Sequence, residues 1–232
     1  MEFRVISISK DDGASVLDIY EWFTGVTNEY TLNPDGIVVG DEDRMVIIRA
    51  QDNFSKAIEL GRKFYQAGVL TLGVFPEYIE ERGCFDAQTV NDGKAILSIV
   101  RALTCPPIYP GPVSFDINDI HATLKDAGRF YARFVYGADV DSLVLKVTDK
   151  FKQIDFTKVE SVCINLYGES PSDFKSRDID KINNLLNITS KTSSALFGIH
   201  RLPDTFTCIP DEMKREMSFG ISFILAGKDI EI

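Results

Sequence analysis

The chain holds 232 residues, 44% of them apolar and 11% aromatic, enough for one large or two small domains with a sizeable core, which excludes a disordered chain. A formal charge of −10 and a pI of about 4.7 oppose binding to phosphate backbones and anionic lipid, and no run of Lys or Arg supplies a basic patch, so neither nucleic acid nor membrane is an expected partner. No apolar run approaches the ~20 residues that span a bilayer. The opening MEFRVISISK carries Glu2 and lacks an apolar signal-peptide core, so a first strand and a cytoplasmic location are expected.

Residues 3–8 are apolar and β-branched and predict a strand. Val16, Leu17, Ile19, Tyr20 and Phe23 predict a helix over 13–23. Asn33-Pro34-Asp35-Gly36 is a turn signal, and Asp41-Glu42-Asp43 reads as a solvated acidic turn. Residues 45–48 form a short continuous apolar run, the mark of a strand buried on both faces. Phe54, Ala57, Ile58, Gly61, Phe64 and Tyr65 recur at helical spacing, with Gly68 placed to end the helix, and 69–75 is again a buried strand. This strand–helix–strand order predicts parallel pairing in an α/β sheet. A helix is predicted over 92–103, closed by Cys105-Pro106-Pro107 because proline cannot continue it. Pro110-Gly111-Pro112 is the expected joint between a domain over 1–110 and a smaller one over 111–232.

In the second half, Asp116 can cap a helix carrying Ile117, Ile120, Leu124 and Ala127, which Gly128 stops. Phe130, Ala132, Phe134 and Tyr136 alternate with Arg129, Tyr131 and Arg133, a half-buried strand pattern. Val140, Leu143, Val144, Val147 and Phe151 mark a helix, and 162–167 a strand. Ser176 can cap a helix with Ile179, Ile182, Leu185 and Leu186 on one face, before strands over 195–199 and 219–225.

Cys84, Cys105, Cys163 and Cys208 are scattered without a C-x-x-C pair and read as buried thiols in a reducing compartment, not as metal ligands. His121 and His200 are isolated and read as surface or hydrogen-bonded histidines. There is no Ser-His-Asp set, no reactive Cys-His pair and no G-x-x-x-x-G-K-[ST] loop, so nothing here predicts an enzyme. On local chemistry alone, Asp116 is an N-cap and Asp119 a first-turn acid favoured by the helix dipole.

The run Pro110-Gly111-Pro112-Val113-Ser114-Phe115-Asp116-Ile117-Asn118-Asp119-Ile120 resembles the synergy loop of FtsZ, the bacterial relative of tubulin, a P-G-x-x-N-x-D-x-x-D pattern that opens a helix. Ser161-Val162-Cys163-Ile164-Asn165-Leu166 is similar to the family's G-V-L-V-N-I strand, and FGISFILAG at 219–227 to its closing R-V-T-V-V-A-T-G strand. These matches, in order, cover about half the chain. The first half is more loosely similar. Val5-Ile6 resembles the start of V-I-G-V-G-G-G-G-G-N, but Ser9-Lys10-Asp11-Asp12-Gly13 stands where the glycines run, so only Gly13 remains. Met45-Val46-Ile47-Ile48-Arg49-Ala50 resembles the strand before G-G-G-T-G-T-G, which is replaced by Gln51-Asp52-Asn53-Phe54-Ser55. Phe85-Asp86 and Asn91-Asp92 correspond to the guanine-contacting helix, after a shortened segment.

The resemblance implies an α/β fold: a truncated Rossmann-like FtsZ/tubulin nucleotide domain over 1–110, followed by a smaller α/β FtsZ C-terminal-like domain over 111–232. It makes Gly13, Asn91 and Asp92 the residual cofactor-binding candidates. Asp116 and Asp119 take the places of acids that polarise the attacking water in the neighbouring subunit's nucleotide site, and Ser114 stands for the family's Asn. Glycine loops cradle phosphate because their N–H groups converge on it without side-chain clash. Asp11 and Asp12 bring negative charge, each carboxylate costing on the order of 1–4 kcal/mol at ~4 Å from a phosphate, and Phe54 brings bulk. The expectation is therefore no GTP, no other cofactor and no turnover. One stacking face, around Ser114, Asp116 and Asp119, would be kept and the other lost, giving a protein that docks on filaments without propagating them. Its partner would be a protein, FtsZ or another copy of itself, and the flexible tail after Ile232 is expected to be missing. Two alternatives stay open: an active, self-assembling GTPase that compensates with Lys10 and Lys56, or an unrelated binding or enzymatic role on this fold.

Overall fold

The computed structural model describes residues 2–8, 26–31, 34–91, 95–109, 111–113, 116–168, 170, 174–188, 194–201 and 218–230. The helix expected over 13–23, the run Ser9 to Gly13, and Asp92, Ser114 and Cys208 lie outside the described residues. The chain groups into two compact units, Met1–Val100 with Leu124–Phe130, and Arg101–Thr123 with Tyr131–Ile232.

The first unit is a parallel α/β sheet. Its strands are β1 (Glu2–Ser7), β2 (Val26–Tyr30), β3 (Asp43–Arg49), β4 (Leu70–Phe75), β5 (Ala87–Val90) and the opening residues of β6 (Gly128–Gly137), in the spatial order β2-β1-β3-β4-β5-β6. Helix α1 (Phe54–Gln66) joins β3 to β4. Its Ala57, Leu60, Gly61 and Phe64 fall on one stripe and are buried. Ile6, Ile8, Val46, Ile48, Ala50 and Phe75 complete that core from the strands. Gly61 sits so close to the chain that an added Cβ would lie 2.6 Å from the Cys84 carbonyl and 2.7 Å from the Phe85 ring. The helix ends as expected at Gly68, whose φ is +80°. Gly68 N–H bonds the Tyr65 carbonyl and Val69 N–H the Phe64 carbonyl, a six-to-one closure that needs a left-handed residue.

Three expectations change in this half. β2 and β5 are strands that their sequences, VTNEY and AQTV, do not announce; each is held in place by its neighbours' backbone. Phe85-Asp86 therefore precedes a strand and is not on a helix. Helix α2 (Ile96–Ile108) runs on through Pro106 and Pro107 where closure at 103 was expected. The prolines fall in its last turn, and Tyr109 N–H still reaches the Cys105 carbonyl at 2.9 Å, so the helix loses two donors without breaking.

The second unit contains α3 (Ile117–Leu124, its last residue grouped with the first unit), most of β6, α4 (Val140–Phe151), β7 (Ser161–Gly168), α5 (Ser176–Ile188), β8 (Ser194–Arg201) and β9 (Phe219–Gly227). The strand order is β6-β9-β7-β8, with β7 parallel to β8 and antiparallel to β9. α4 starts on a reciprocal cap between Asp139 and Ser142 and buries Val140, Leu143, Val147 and Phe151 against Ile164, Leu166 and Phe223. β6 is not half-buried: Tyr131 and Val135 join this core while Phe130, Ala132 and Phe134 are buried on the opposite face. Gly128 (φ +79°) does not stop a helix either. α3 ends at Leu124, and Asp126 (φ +53°) and Gly128 turn the chain into β6.

Candidate functional site

In parallel α/β sheets, ligands sit beyond the carboxyl ends of the strands. In the first unit these ends are Ser7, Arg49, Phe75 and Val90. The register sets Ser7 beside Arg49, Arg49 beside Val74 and Val74 beside Thr89, so the four share the sheet face opposite Ile48 and Phe75. Ser7, Arg49 and Thr89 are buried, and Ser7 Oγ and Thr89 Oγ1 have no hydrogen-bond partner among the described residues.

The loop from β3 into α1 is occupied by the chain itself. Asp52 Oδ1 accepts from the Asn53 backbone N–H at 2.8 Å and from Asn53 Nδ2 at 3.0 Å. Phe54 N–H is taken by the Asp52 carbonyl at 2.8 Å, and Lys56 and Ala57 N–H by the Asn53 carbonyl at 3.1 Å each. The Asn53 and Phe54 N–H groups are thus taken by the chain's own acceptors, beside the exposed Asp52 carboxylate. Phe54 does not add bulk to the loop as the sequence suggested. Its ring packs edge-on against Phe75, with centroids 6.1 Å apart, inside the α1 core.

Phe85 packs on Phe75 at 5.2 Å. Asp86 is buried, accepts from Thr71 N–H at 2.8 Å and pairs with Lys125 Nζ at 2.7 Å. Both therefore tie the segment before β5 to β4. Asn91 is buried; its N–H bonds the Phe75 carbonyl at 2.7 Å and its Oδ1 accepts from Ala95 N–H at 3.3 Å, just before α2. Gly13 and Asp92 lie outside the described residues.

At the start of α3, Asp116 and Asp119 are brought together. Asp116 Oδ1 accepts from Asn118 N–H (2.7 Å) and Asp119 N–H (3.3 Å), and Oδ2 from Asn118 Nδ2 (3.2 Å). Asp119 Oδ2 accepts in return from Asp116 N–H at 2.9 Å. This is a reciprocal cap in which two acids satisfy each other's backbone. Asp116 is exposed, Asp119 half-buried, and the preceding Val113 is 49% exposed. Ser114 lies outside the described residues.

Sequence reasoning missed a buried polar network in the second unit. His200 Nδ1 lies 3.0 Å from the Tyr109 carbonyl and Nε2 2.8 Å from Asn165 Oδ1. Asn165 Nδ2 reaches Ser222 Oγ at 3.2 Å, and Tyr167 OH reaches the same hydroxyl at 3.1 Å. The imidazole is fully buried and stacks on Tyr167 at 5.2 Å. Burial lowers the His200 pKa, and the hydrogen bond to Tyr109 opposes that shift. The available signal was a lone Asn and a lone Ser inside otherwise apolar strands. The thiols of Cys84, Cys105 and Cys163 are buried, which pushes them up to about 11, 12 and 12, so they are inert nucleophiles. Among the described residues no group of acids, histidines and cysteines could hold a metal, and no helix is long and apolar enough to cross a membrane.

No protein-family model matches the chain, and no curated protein matches it. Solved structures do. A GTPγS-form protofilament of TubZ from Bacillus thuringiensis serovar israelensis superposes with a TM-score of 0.67 at 10% identity, over 100% of this chain and 88% of that one. CetZ2 from Haloferax volcanii, a GTPγS-bound protofilament, gives 0.64 at 14% identity over 100% and 94%. CetZ from Methanosaeta thermophila gives 0.64 at 9% identity over 99% and 87%. The chain thus has the tubulin/FtsZ fold, a mixed α/β architecture with mostly parallel strands.

Proposed function

We propose that this chain is an FtsZ-like protein that neither binds nor hydrolyses GTP and acts as an interaction partner of filaments. The observation that carries the reading is the β3–α1 loop, where the Asp52 carboxylate and the chain's own carbonyls take the N–H groups a phosphate would need. Such a subunit keeps one stacking surface, built around Asp116 and Asp119, and docks without propagating, because head-to-tail growth needs both surfaces. The retained acids work here as helix caps, so the loop's role is to present a shaped, acidic surface. The partner is a filament-forming relative or a second copy of this chain.

Calorimetric titration with GTP and magnesium tests the first half of the proposal. No heat of binding is expected; a micromolar dissociation constant, about −8 kcal/mol, would overturn it. Sedimentation of an FtsZ from the same cell, with and without this protein, tests the second half, and a change in polymer mass is expected. Asp119→Ala is a poor probe, because Asp119 caps the Asp116 N–H. Asp119→Asn keeps an acceptor oxygen while removing the charge, and should weaken the effect. If neither wild type nor variant alters polymer mass, filament binding is to be abandoned.

A second reading has an observation of its own. Ser7 and Thr89 set two unpartnered buried hydroxyls in line with Arg49 at the strand ends, where an anion could be received. The TubZ and CetZ2 protofilaments are themselves GTPγS forms. Binding in the calorimeter, with turnover, would favour an active self-assembling GTPase.

A further inference from the structure

Strand β8 grips the segment that leads into Asp116 and Asp119. The Tyr109 carbonyl lies 3.0 Å from His200 Nδ1, and Ile199 N–H donates to the Val113 carbonyl at 2.6 Å. Between them, Gly111 approaches so closely that any Cβ would collide with the Ile199 carbonyl. Gly198, one strand position from Ile199, is equally constrained: an added Cβ would strike Asn165 Oδ1 and His200 Nε2. We infer that His200 is the positioning residue of this face, holding Tyr109 by an Nδ1–H···O bond beside the Val113–Ile199 pairing, and so setting where the chain enters the Asp116–Asp119 cap. The inference rests on the proposal that this cap forms the interaction face.

The chemistry of the partners fixes which nitrogen does this. A backbone carbonyl can only accept, so Nδ1 must carry a hydrogen. Nε2 is then free to accept in the neutral ring or to donate in the imidazolium. The ring meets Asn165 and Tyr167 from β7 and the Tyr109 carbonyl after α2, and Ser222 from β9 stands behind Asn165 and Tyr167. The orientation with Asn165 Oδ1 toward Nε2 and Nδ2 toward Ser222 is the one an imidazolium requires. The neutral ring requires the amide turned over, so that Asn165 donates to Nε2 and accepts from the Ser222 hydroxyl, which in turn accepts from Tyr167. Both arrangements are fully paired, and in both the Tyr109 bond survives. Asn165 absorbs the change of protonation while Nδ1 keeps its hold, which a purely space-filling side chain could not do.

Nitrogen chemical shifts of the His200 ring in the wild-type protein give the first test. A neutral Nδ1–H tautomer is expected; an Nε2–H tautomer overturns the inference. The second test compares His200→Asn with His200→Gln by hydrogen exchange. The Asn amide nitrogen falls near the Nδ1 position and the Gln nitrogen near Nε2, while both lose the stacking on Tyr167. Relative to Asn, Gln should exchange at least tenfold faster at the backbone amides of Asn118, Asp119 and Ile199, after correction for global stability. Equal exchange in the two variants overturns the inference. If the variants do not fold, the tautomer decides. Sedimentation with the filament partner separates the two levels. An inert wild type removes the proposed interaction face, whereas the tautomer and exchange results judge the clamp by themselves.

Discussion

At the scale of single residues, His200 links burial to solution conditions. Its folded pKa lies below the ordinary 6.5, because burial disfavours the charged ring more than the Tyr109 bond favours it. Between that lowered value and 6.5 the unfolded chain binds more protons than the folded one, so stability rises with pH across this window and the contribution is complete above it. Wild type is therefore expected to lose more of its denaturation midpoint than His200→Asn when pH falls from above 6.5 to below it. Parallel curves would remove His200 as the source. Asp116 makes a separate case. Its carboxylate accepts three bonds at the α3 start, and Asp116→Ala should cost ~0.5–2 kcal/mol in a urea titration. That loss is structural and has to be measured before any filament result on this variant is read.

At the scale of elements, Gly61 sets two rules against each other. Alanine in a helix interior is favoured over glycine by roughly 1 kcal/mol. Here the new Cβ would meet backbone at 2.6 Å and a packed ring at 2.7 Å, and overpacking of this kind costs ~1–3 kcal/mol. The clash wins because the Cys84 carbonyl is backbone and cannot swing away, so Gly61→Ala should lower the midpoint of thermal unfolding; an increase would show that the loop at Cys84 yields. The same element shows what a sequence can disclose. α1, β3 and β4 are legible because their burial follows a period the residues spell out: the stripe of Ala57, Leu60 and Phe64, and the unbroken apolar run of Met45 to Ile48. β2 and β5 are not legible, since VTNEY and AQTV become strands only through the backbone beside them. The double proline in α2 misleads because its effect depends on position within the helix, which local rules do not fix. The acidic cap at Asp116 could be read from spacing alone. The His200 network could not, since it joins residues 35, 57 and 91 positions apart through strand register. The place of Phe54 was not legible either: its ring turns into the α1 core, and Asp52 bonds the Asn53 N–H in the loop.

At the scale of the whole molecule, the two units do not follow one another along the chain. α2 begins in the first and ends in the second, and β6 does the same. A cut at 110 accordingly removes Leu124–Phe130 from the first unit, including Gly128 N–H, which bonds the Asp86 carbonyl at 2.9 Å, and Lys125, which neutralises buried Asp86. A fragment of 1–110 is expected to be unfolded or aggregated by circular dichroism and gel filtration, whereas 1–130 should recover native-like secondary structure in its first unit. Equal folding of the two fragments would show that the β6 contribution is dispensable.

That shared strand also dictates an order of events during translation. As the chain leaves the ribosome, β5 emerges with one edge unpaired, and the residues that close it, Gly128 opposite Ala87 and Arg129 opposite Gln88, are not yet made. Throughout that interval the nascent polypeptide exposes a bare sheet edge, the kind of surface that recruits chaperones or sticks to neighbouring chains. Slow codons that delay the arrival of Gly128 and Arg129 should therefore lower soluble yield, and an unchanged yield would show that this edge is protected until β6 arrives.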